Sequence, residues 1–199
     1  RRLLDLGCGD ASLGQRFWAM GYEVVGVDIN GPALDAARSR LAPETPGHSM
    51  LLVQADITAS LPPPLPSTTF DLVVCQLVLS VVGDIHDRLA LLANARDALR
   101  PGGRLYLSAS GVSHGINPGY ALLYQQDEAI TGERHSYLSR DAEGNVLYQT
   151  HHFTEPELRQ LLQQSGFIDI DISTVAEQSS RRPEEAAYFH HVTATRPME

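Results

Sequence analysis

Short apolar runs alternate with amphipathic stretches along most of this chain, and the alternation restricts its fold more than any other feature. The runs are typical of strands buried on both faces, and the stretches between them repeat apolar residues at helical spacing. Such alternation predicts an α/β fold in which helices cover both faces of a mostly parallel sheet. Strands are predicted over 1–6, 22–30, 50–56, the start of 70–82, 103–111, 168–174 and 186–195, the last of them antiparallel.

Capping residues mark several helix boundaries. Asn30 and Asp84 occupy N-cap positions, and Thr154 with Glu157 forms a capping box before a helix that ends at Gly166. Helical spacing predicts one apolar face for each of the first and third helices. These faces consist of Leu13, Phe17 and Met20 in the first helix, and of Ile85, Leu89, Leu92 and Leu99 over 84–100.

Two stretches interrupt the alternation. ASLPPPLPSTT, residues 59–69, has four prolines within five residues, which excludes a helix or a central strand and predicts a surface connection. Residues 111–150 mix glycine, proline, tyrosine and histidine irregularly, and only a hairpin turning at 143–145 is predicted there. With 199 residues the chain is expected to form one domain, 1–199, with an insert at about 111–152.

Charge and composition exclude some classes of partner. The net charge is -9 and all 15 basic residues are arginine, a balance that disfavours nucleic acid as the main partner. No apolar run is long enough to span a membrane, and no signal-peptide pattern is present. We therefore expect a cytoplasmic protein with both cysteines, Cys8 and Cys75, reduced. The oligomeric state is left open.

A glycine turn follows the first strand, within LLDLGCGDASLG. In open parallel sheets, ligands bind beyond the carboxyl ends of the strands, and Gly7 and Gly9 let the backbone approach a ligand closely. Asp28 ends the second strand, 19 residues after Gly9. An acid at this point can accept hydrogen bonds from both hydroxyls of a ribose. A nicotinamide fingerprint needs a third glycine where this chain has Ser12. The alternative is a structural turn beside a chance acid.

The stretch LLDLGCGDAS resembles motif I of the class I S-adenosylmethionine-dependent methyltransferases. VVGVDIN, QADI, FDLVVCQLVLSVVGD, LRPGGRLYLS and FTEPELRQLLQQSGF resemble later motifs of that family, in the family's order. The resemblance covers nearly all of the chain apart from 111–150, and Ala11 replaces the family's usual third glycine. It implies a Rossmann-like three-layer sandwich whose seven-stranded sheet has the order 3-2-1-4-5-7-6, with strand seven antiparallel.

The resemblance also implies S-adenosyl-L-methionine as cofactor, with S-adenosyl-L-homocysteine as product. Asp28 would hold the ribose, Asp56 the adenine amino group and Asp5 the methionine end. Ile29 would pack on adenine and Ile57 on the face of its ring. The backbone around Gly7 and the carbonyl at Cys75 or Gln76 would meet the methionine amino group. The full set is Asp5, Gly7, Cys8, Gly9, Asp28, Ile29, Asp56, Ile57, Cys75 and Gln76.

Several of these residues have a structural alternative. Asp5 could hydrogen-bond the loop, Asp56 could cap a strand end, and Ile29 and Ile57 could belong to the core. The cysteines are interpreted as small apolar fillers, since Cys8 has no nearby group in the sequence that would lower its pKa.

In this family the acceptor lies under the insert, so the substrate side is expected at about 111–152. Transfer from a sulfonium needs mainly in-line alignment, and a base only where the nucleophile carries a proton. The catalytic residue is therefore unknown, with His114, Tyr120, Tyr124, His135 and His152 as candidates. Further candidates nearby are Tyr137, His151, Ser80 and His86, and any of these histidines could instead be a surface or packing residue. Metal binding by His151-His152 is disfavoured, because adjacent side chains on a strand point to opposite faces, and His190-His191 are interpreted as structural.

The leading hypothesis is a methyltransferase acting on a nucleophilic O, N, C or S of a small molecule. The shortness of the insert argues against a folded protein as acceptor, and no nucleic-acid or membrane partner is expected. A non-catalytic module that binds S-adenosylmethionine is one alternative. A nicotinamide-dependent dehydrogenase is another, although Ser12 and Asp56 argue against it.

Overall fold

A computed structural model describes residues 1–41, 49–62, 65, 69–178 and 186–198. Its strands are β1 (Arg2–Leu6), β2 (Glu23–Asp28), β3 (Met50–Gln54), β4 (Phe70–Gln76), β5 (Leu99–Ser110), β6 (Ser136–Arg140), β7 (Val146–His151), β8 (Ile168–Gln178) and β9 (Ala186–Thr195). Its helices are α1 (Ser12–Ala19), α2 (Gly31–Arg40), α3 (Ile85–Ala98), α4 (Gly119–Thr131) and α5 (Glu155–Gln164), and a turn of 3₁₀ helix, Leu79–Val81, follows β4.

Seven strands form one sheet in the order β3-β2-β1-β4-β5-β9-β8. The five strands from β3 to β5 pair in parallel, and β9 pairs antiparallel with both β5 and β8. Strands β6 and β7 form a separate two-stranded sheet, so β8 and β9 are the sixth and seventh strands of the main sheet in chain order. The expected order and the antiparallel seventh strand are therefore confirmed.

Each face of the sheet has its own apolar layer, because side chains alternate along a strand. Leu4 of β1 points into the larger cluster, which Leu92 of α3 and Leu161 of α5 help to close. Leu3 points to the opposite face, where Phe17 of α1 packs. Helices thus cover both faces, and the carboxyl ends of β1, β2 and β4 open at one edge.

The predicted caps are present. The Asn30 side chain accepts a hydrogen bond from the Ala33 N–H at 3.1 Å, and Asp84 accepts one from the His86 N–H at 2.7 Å. Thr154 and Glu157 form the reciprocal capping box at the start of α5. None of the helices in the described ranges combines the length and the apolar character needed to cross a membrane.

Parts of the predicted apolar faces are wrong. Met20 lies just beyond α1 and is 64% exposed, and Ile85 is 37% exposed because it begins α3 beside solvent. The other predicted residues pack as expected: Leu92 and Leu99 are fully buried in the larger core cluster and Leu89 packs against it, although Leu99 begins β5. The buried residues of α3 also include Arg88, Leu91, Ala95 and Ala98. The prediction misses Arg88, because a charged residue is not counted in an apolar stripe.

The proline-rich connection is not wholly on the surface. Leu61 and Leu65 are buried in the larger core cluster, at 8% and 2% exposure, so the surface prediction is wrong for these two residues. Residues 63, 64 and 66–68 of that stretch lie outside the described residues, as do residues 179–185 between the last two strands.

The insert contains one predicted and one unpredicted element. The hairpin is confirmed as β6 and β7, and Asp141 accepts hydrogen bonds from the N–H groups of Glu143 and Asn145 at its turn. Helix α4 is absent from the prediction. Its buried residues are Tyr120, Tyr124 and Asp127, so helical spacing is carried by aromatic and acidic side chains rather than by aliphatic ones.

Candidate functional site

The glycine turn, residues 7–9, reverses the chain beyond β1. Gly7 and Gly9 adopt φ of +74° and +54°, in the left-handed region that glycine tolerates best. The Gly7 and Cys8 N–H groups both donate to the Val27 carbonyl, at 2.8 and 3.1 Å, which ties the turn to β2. A Cβ built on Gly9 would meet no atom within 4 Å, so this side of the turn is open.

Ala11 occupies the position of the family's usual third glycine. Its φ is +60° and its side chain is fully buried in the cluster with Cys8 and Leu34. The loop therefore tolerates alanine, in a left-handed conformation that costs about 1 kcal/mol for a residue with a Cβ.

Asp28 lies against the glycine turn. One carboxylate oxygen accepts from the Gly9 N–H at 2.7 Å, and the other accepts from the Asn30 N–H at 2.8 Å. The acid at the end of β2 is therefore held by backbone donors and also fixes the conformation of the turn. It is not a chance acid beside an unrelated loop.

Asp5 is a buried carboxyl group near the carboxyl end of β1, just before the glycine turn. Its side chain shares a face of β1 with Leu3 and is 3% exposed. In the part of the chain that the structure describes, no group donates a hydrogen bond to it, which removes the loop hydrogen bond considered as the alternative. Burial, with a smaller effect from the Asp28 charge, raises the pKa of Asp5 to about 7.

The two isoleucines expected at the adenine ring differ in environment. Ile29 is 68% exposed directly after β2, so it is not a core residue. Ile57 is 9% exposed and belongs to the larger core cluster, as the alternative had it. Asp56 accepts from the Thr58 N–H and hydroxyl at 2.9 and 2.7 Å, and these bonds lower its pKa. Local capping after β3 is thus its observed role within the described chain.

The cysteines are packed thiols. Burial raises the pKa of Cys8 to about 12, with the Asp5 and Asp28 charges adding to it. Burial also raises the pKa of the fully buried Cys75 to about 12. Gln76 is exposed at the end of β4, and the next residue, Leu77, adopts φ of +59°. Cys75 and Gln76 are therefore the last two residues of β4, directly before the turn that follows it.

A cavity of about 550 Å³ lies between the ends of β4 and β5 and the insert. We call it the insert cavity. Its lining is Leu77, Ser80, Val81, Ser110, Tyr120, Leu123, Tyr137, Leu138, Ser139, Arg140, Asp141, Thr150, His152, Ala187 and Phe189. Among the residues singled out from the sequence, the structure therefore brings Ser80, Tyr120, Tyr137 and His152 together.

The other expected candidates lie behind or away from this lining. Tyr124 is buried behind it, with its hydroxyl oxygen 2.6 Å from His152 Nδ1. His114 is exposed and its ring stacks on His135 at 6.2 Å between centroids. Burial lowers the pKa of His135. His86 is exposed in the first turn of α3.

The remaining histidines have structural partners. His151 Nδ1 lies 2.8 Å from Ser136 Oγ, and its Nε2 lies 2.9 Å from a Glu157 oxygen. His190 and His191 are likewise bonded at both ring nitrogens, which agrees with a structural role. Within the described ranges, no group of three or more His, Cys, Asp or Glu side chains is arranged to hold a metal ion.

Two ion pairs that sequence reasoning missed anchor the insert. Arg88, 1% exposed, donates to both Glu133 oxygens at 3.0 and 2.9 Å and to the carbonyls of Val82 and Gly83. Asp127 of α4, fully buried, accepts two hydrogen bonds from Arg140 of β6. Neither pair has a sequence signature, because the partners are far apart in the chain.

The segment 77–81 joins the two halves of the site. A Cβ on Gly7 would lie 2.3 Å from Val78 Cγ2, so Val78 packs directly on the glycine turn. Leu77, Ser80 and Val81 line the insert cavity. The region of Asp5 and the glycine turn is thus separated from the insert cavity by a single short segment.

Comparison with known proteins agrees with this geometry. A family profile described as "Methyltransferase domain" matches residues 4–107. A solved S-adenosylmethionine-dependent methyltransferase from Methanosarcina mazei is 28% identical and superimposes with a TM-score of 0.87, covering all of this chain and 93% of that one.

Two curated relatives match part of the chain. Malonyl-[acyl-carrier protein] O-methyltransferase of Salmonella typhimurium is 36% identical over 51% of this chain, and carboxy-S-adenosyl-L-methionine synthase of Aeromonas salmonicida is 35% identical over 54%. The chain spans only 36% and 42% of their lengths. Since the family profile covers more than half of the sequence, the chain belongs to the class I S-adenosylmethionine-dependent methyltransferase family.

Proposed function

We propose that this protein transfers the methyl group of S-adenosyl-L-methionine to a nucleophilic O, N, C or S of a small molecule in the insert cavity. The observation that carries the proposal is the position of segment 77–81, which packs on the glycine turn through Val78 and lines the cavity through Leu77 and Ser80. Donor and acceptor regions separated by one segment suit a direct transfer between them.

The residues at the glycine turn fit the cofactor. Each Asp28 oxygen uses one of its two acceptor positions on a backbone N–H, which leaves capacity for the two ribose hydroxyls. The open side of Gly9 admits a ligand against the backbone, and exposed Ile29 offers an apolar face for adenine. Asp5, buried without a hydrogen-bond donor among the described residues, suits the ammonium of the methionine end.

When bound, the sulfonium cofactor supplies an electrophilic methyl group. The chain's own task is to orient donor and acceptor in line and to exclude water, which can account for much of such a rate enhancement. No side chain of the insert cavity has to remove a proton unless the acceptor atom carries one at neutral pH. For an acceptor atom without such a proton, Tyr120, Tyr137 and His152 need only position the molecule.

The size of the insert cavity supports a small acceptor. A volume of about 550 Å³ falls within the range of sites that enclose drug-sized ligands. The net charge of -9 argues against a nucleic-acid acceptor. We further propose that residues 1–199 act as one domain, with 111–152 as its substrate-side wall.

Isothermal titration with S-adenosyl-L-homocysteine tests the cofactor half of the proposal, and micromolar binding is expected. The absence of binding at millimolar ligand would contradict it. A screen of small nucleophiles with radiolabelled methyl donor then tests the transfer. Binding without transfer to any compound would favour the non-catalytic module instead.

A further inference from the structure

Three histidines of the described chain are buried, and they differ in how their ring nitrogens are satisfied. His151 and His190 have a partner within 2.9 Å at each nitrogen. His152, 3% exposed, has a partner only at Nδ1, the Tyr124 hydroxyl at 2.6 Å. Its Nε2 has no partner among the described residues, and His152 lines the insert cavity. A buried side chain thus has one ring nitrogen without a partner among the described residues, at the wall of the cavity.

The Tyr124 hydroxyl determines which nitrogen of His152 carries the proton. Burial raises the pKa of Tyr124, so its hydroxyl keeps its hydrogen, and His152 Nδ1 is its hydrogen-bond partner among the described residues. A buried hydroxyl hydrogen needs an acceptor, and an Nδ1–H on His152 would leave it without one, so donation from the Tyr124 hydroxyl to His152 Nδ1 is the arrangement that satisfies both groups. A neutral imidazole that accepts at Nδ1 carries its proton on Nε2.

His152 also stays neutral. Burial, with smaller contributions from His151 and His135, lowers the pKa of His152 to about 3. The ring is therefore a poor proton acceptor at neutral pH. It presents a fixed N–H donor to the cavity.

The rings next to His152 form a wall rather than a cage. The centroids of Tyr120 and Tyr137 lie 4.7 and 5.4 Å from that of His152, and 6.0 Å from each other. Rings this close pack on one another and leave no space for an ammonium group between them. The wall instead offers an aromatic surface with one hydrogen-bond donor.

We propose that His152 is a specificity-determining residue, whose Nε2–H donates a hydrogen bond to a carbonyl oxygen or ring nitrogen of an aromatic acceptor lying along Tyr120 and Tyr137. The proposal rests on the proposed function and names the class of acceptor for the same site. His152 is then a positioning residue and not the general base that its residue type indicates from sequence.

Nuclear magnetic resonance of the chain labelled with ¹⁵N-histidine tests the proton position directly. The His152 signal, assigned by its loss in His152→Gln, is expected to show the neutral Nε2–H tautomer from pH 5 to pH 8. Tyr124→Phe removes the donor to Nδ1, so a mixture of tautomers is expected, whereas the remote Tyr22→Phe should change nothing. A charged ring or an Nδ1–H tautomer in the wild-type chain would overturn the proposal.

Two probes of similar shape test the donor. Acetophenone has a carbonyl that ethylbenzene lacks, and the ratio of their dissociation constants, measured by chemical-shift titration, isolates the hydrogen bond. His152→Ala is expected to reduce the preference for acetophenone by about 3- to 10-fold. Leu123→Ala, which alters the same cavity without removing a donor, should weaken both probes alike.

An unchanged ratio in His152→Ala would contradict the proposal. S-adenosyl-L-homocysteine affinity, measured on the same samples, keeps the two proposals apart. If the chain binds no cofactor but shows the expected tautomer and probe ratio, only the proposed function is contradicted. If the chain binds cofactor but shows neither the expected tautomer nor the expected probe ratio, only the role of His152 is contradicted.

Discussion

Asp28 and Gly9 are joined by a hydrogen bond of 2.7 Å from the Gly9 N–H to the Asp28 carboxylate. The acid proposed to hold the ribose therefore also holds the backbone that the cofactor would lie against. Loss of the Asp28 side chain should affect both functions at once.

Asp28→Ala is expected to weaken S-adenosyl-L-homocysteine binding by about 100-fold or more, because hydrogen bonds from two hydroxyls to a charged group are lost. Isothermal titration measures the change. Asp35→Ala, which removes an exposed carboxylate paired with Arg38 on α2, is the matched control and should leave affinity unchanged. Equal affinities for wild type and Asp28→Ala would disprove the proposed cofactor site.

Asp5 should make stability fall as pH rises. Its pKa of about 7 in the folded chain exceeds the ordinary value of 3.8, so between these limits the folded state keeps a proton that the unfolded state releases. Asp5→Asn cannot ionise and should be more stable than wild type above pH 7, by up to about 4 kcal/mol, and similar to it near pH 4. Urea unfolding at both pH values measures this, and a destabilised variant at pH 8 would contradict it.

The same carboxyl group should make cofactor binding pH-dependent. Ionised Asp5 attracts the ammonium of the methionine end, so affinity for S-adenosyl-L-homocysteine should rise between pH 6 and pH 8. In Asp5→Asn the affinity should be lower and nearly independent of pH over that range. Titrations at three pH values measure both chains. An affinity of Asp5→Asn that still rises with pH would assign the dependence to another group.

Alanine variants of Ile29 and Ile57 should differ in whether they lower only cofactor affinity or also the stability of the fold. Ile29→Ala is expected to weaken S-adenosyl-L-homocysteine binding with little change in stability, since the side chain is 68% exposed. Ile57→Ala should also destabilise the fold, by about 2 kcal/mol or more, because the side chain is buried in the larger core cluster. Thermal melts beside titrations measure both effects, and a strongly destabilised Ile29→Ala would refute the assignment.

Gly7 should not tolerate a side chain. In Gly7→Ala the new Cβ would meet Val78 Cγ2 at 2.3 Å and the residue would keep φ of +74°, so a loss of about 2 to 3 kcal/mol is expected. Gly132→Ala has a similar φ, +68°, with no atom within 4 Å of the Cβ, and should lose only about 1 kcal/mol. Val78→Ala should restore part of the stability of Gly7→Ala, and equal losses in the two glycine variants would rule out the contact.

The Arg88–Glu133 pair should contribute far more to the free energy of unfolding than a surface ion pair does. Glu133→Gln leaves the buried Arg88 guanidinium without its counter-charge and is expected to cost about 3 kcal/mol of unfolding free energy. Glu155→Gln breaks the exposed pair with Arg159 and should cost less than about 0.5 kcal/mol. Chemical denaturation distinguishes them, and similar losses would show that the insert is not anchored by this pair.

Local features of the sequence accounted for most of the sheet and for the cofactor side. Apolar runs and helical spacing predict the strands and most helices, and the glycine turn and Asp28 each follow a strand directly, so their place at the sheet edge follows from chain order. The resemblance to known motifs supplied the strand order. Helix α4 is absent from the prediction because aromatic and acidic side chains, Tyr120, Tyr124 and Asp127, occupy its buried positions. The burial of Arg88 on α3 is absent as well, because its partner lies 45 residues away.

By itself, then, the sequence determined the α/β alternation, the glycine turn and the acids beside it. Only the tertiary structure decided that the pKa of Asp5 is raised and that of His152 lowered, that His152 Nε2 has no partner in the described part of the chain, and that one cavity joins Leu77, Tyr120, Tyr137, His152 and Phe189. The physical reason is that burial and hydrogen bonding set the properties of these groups. Both depend on neighbours that are distant in the chain and meet only when it folds.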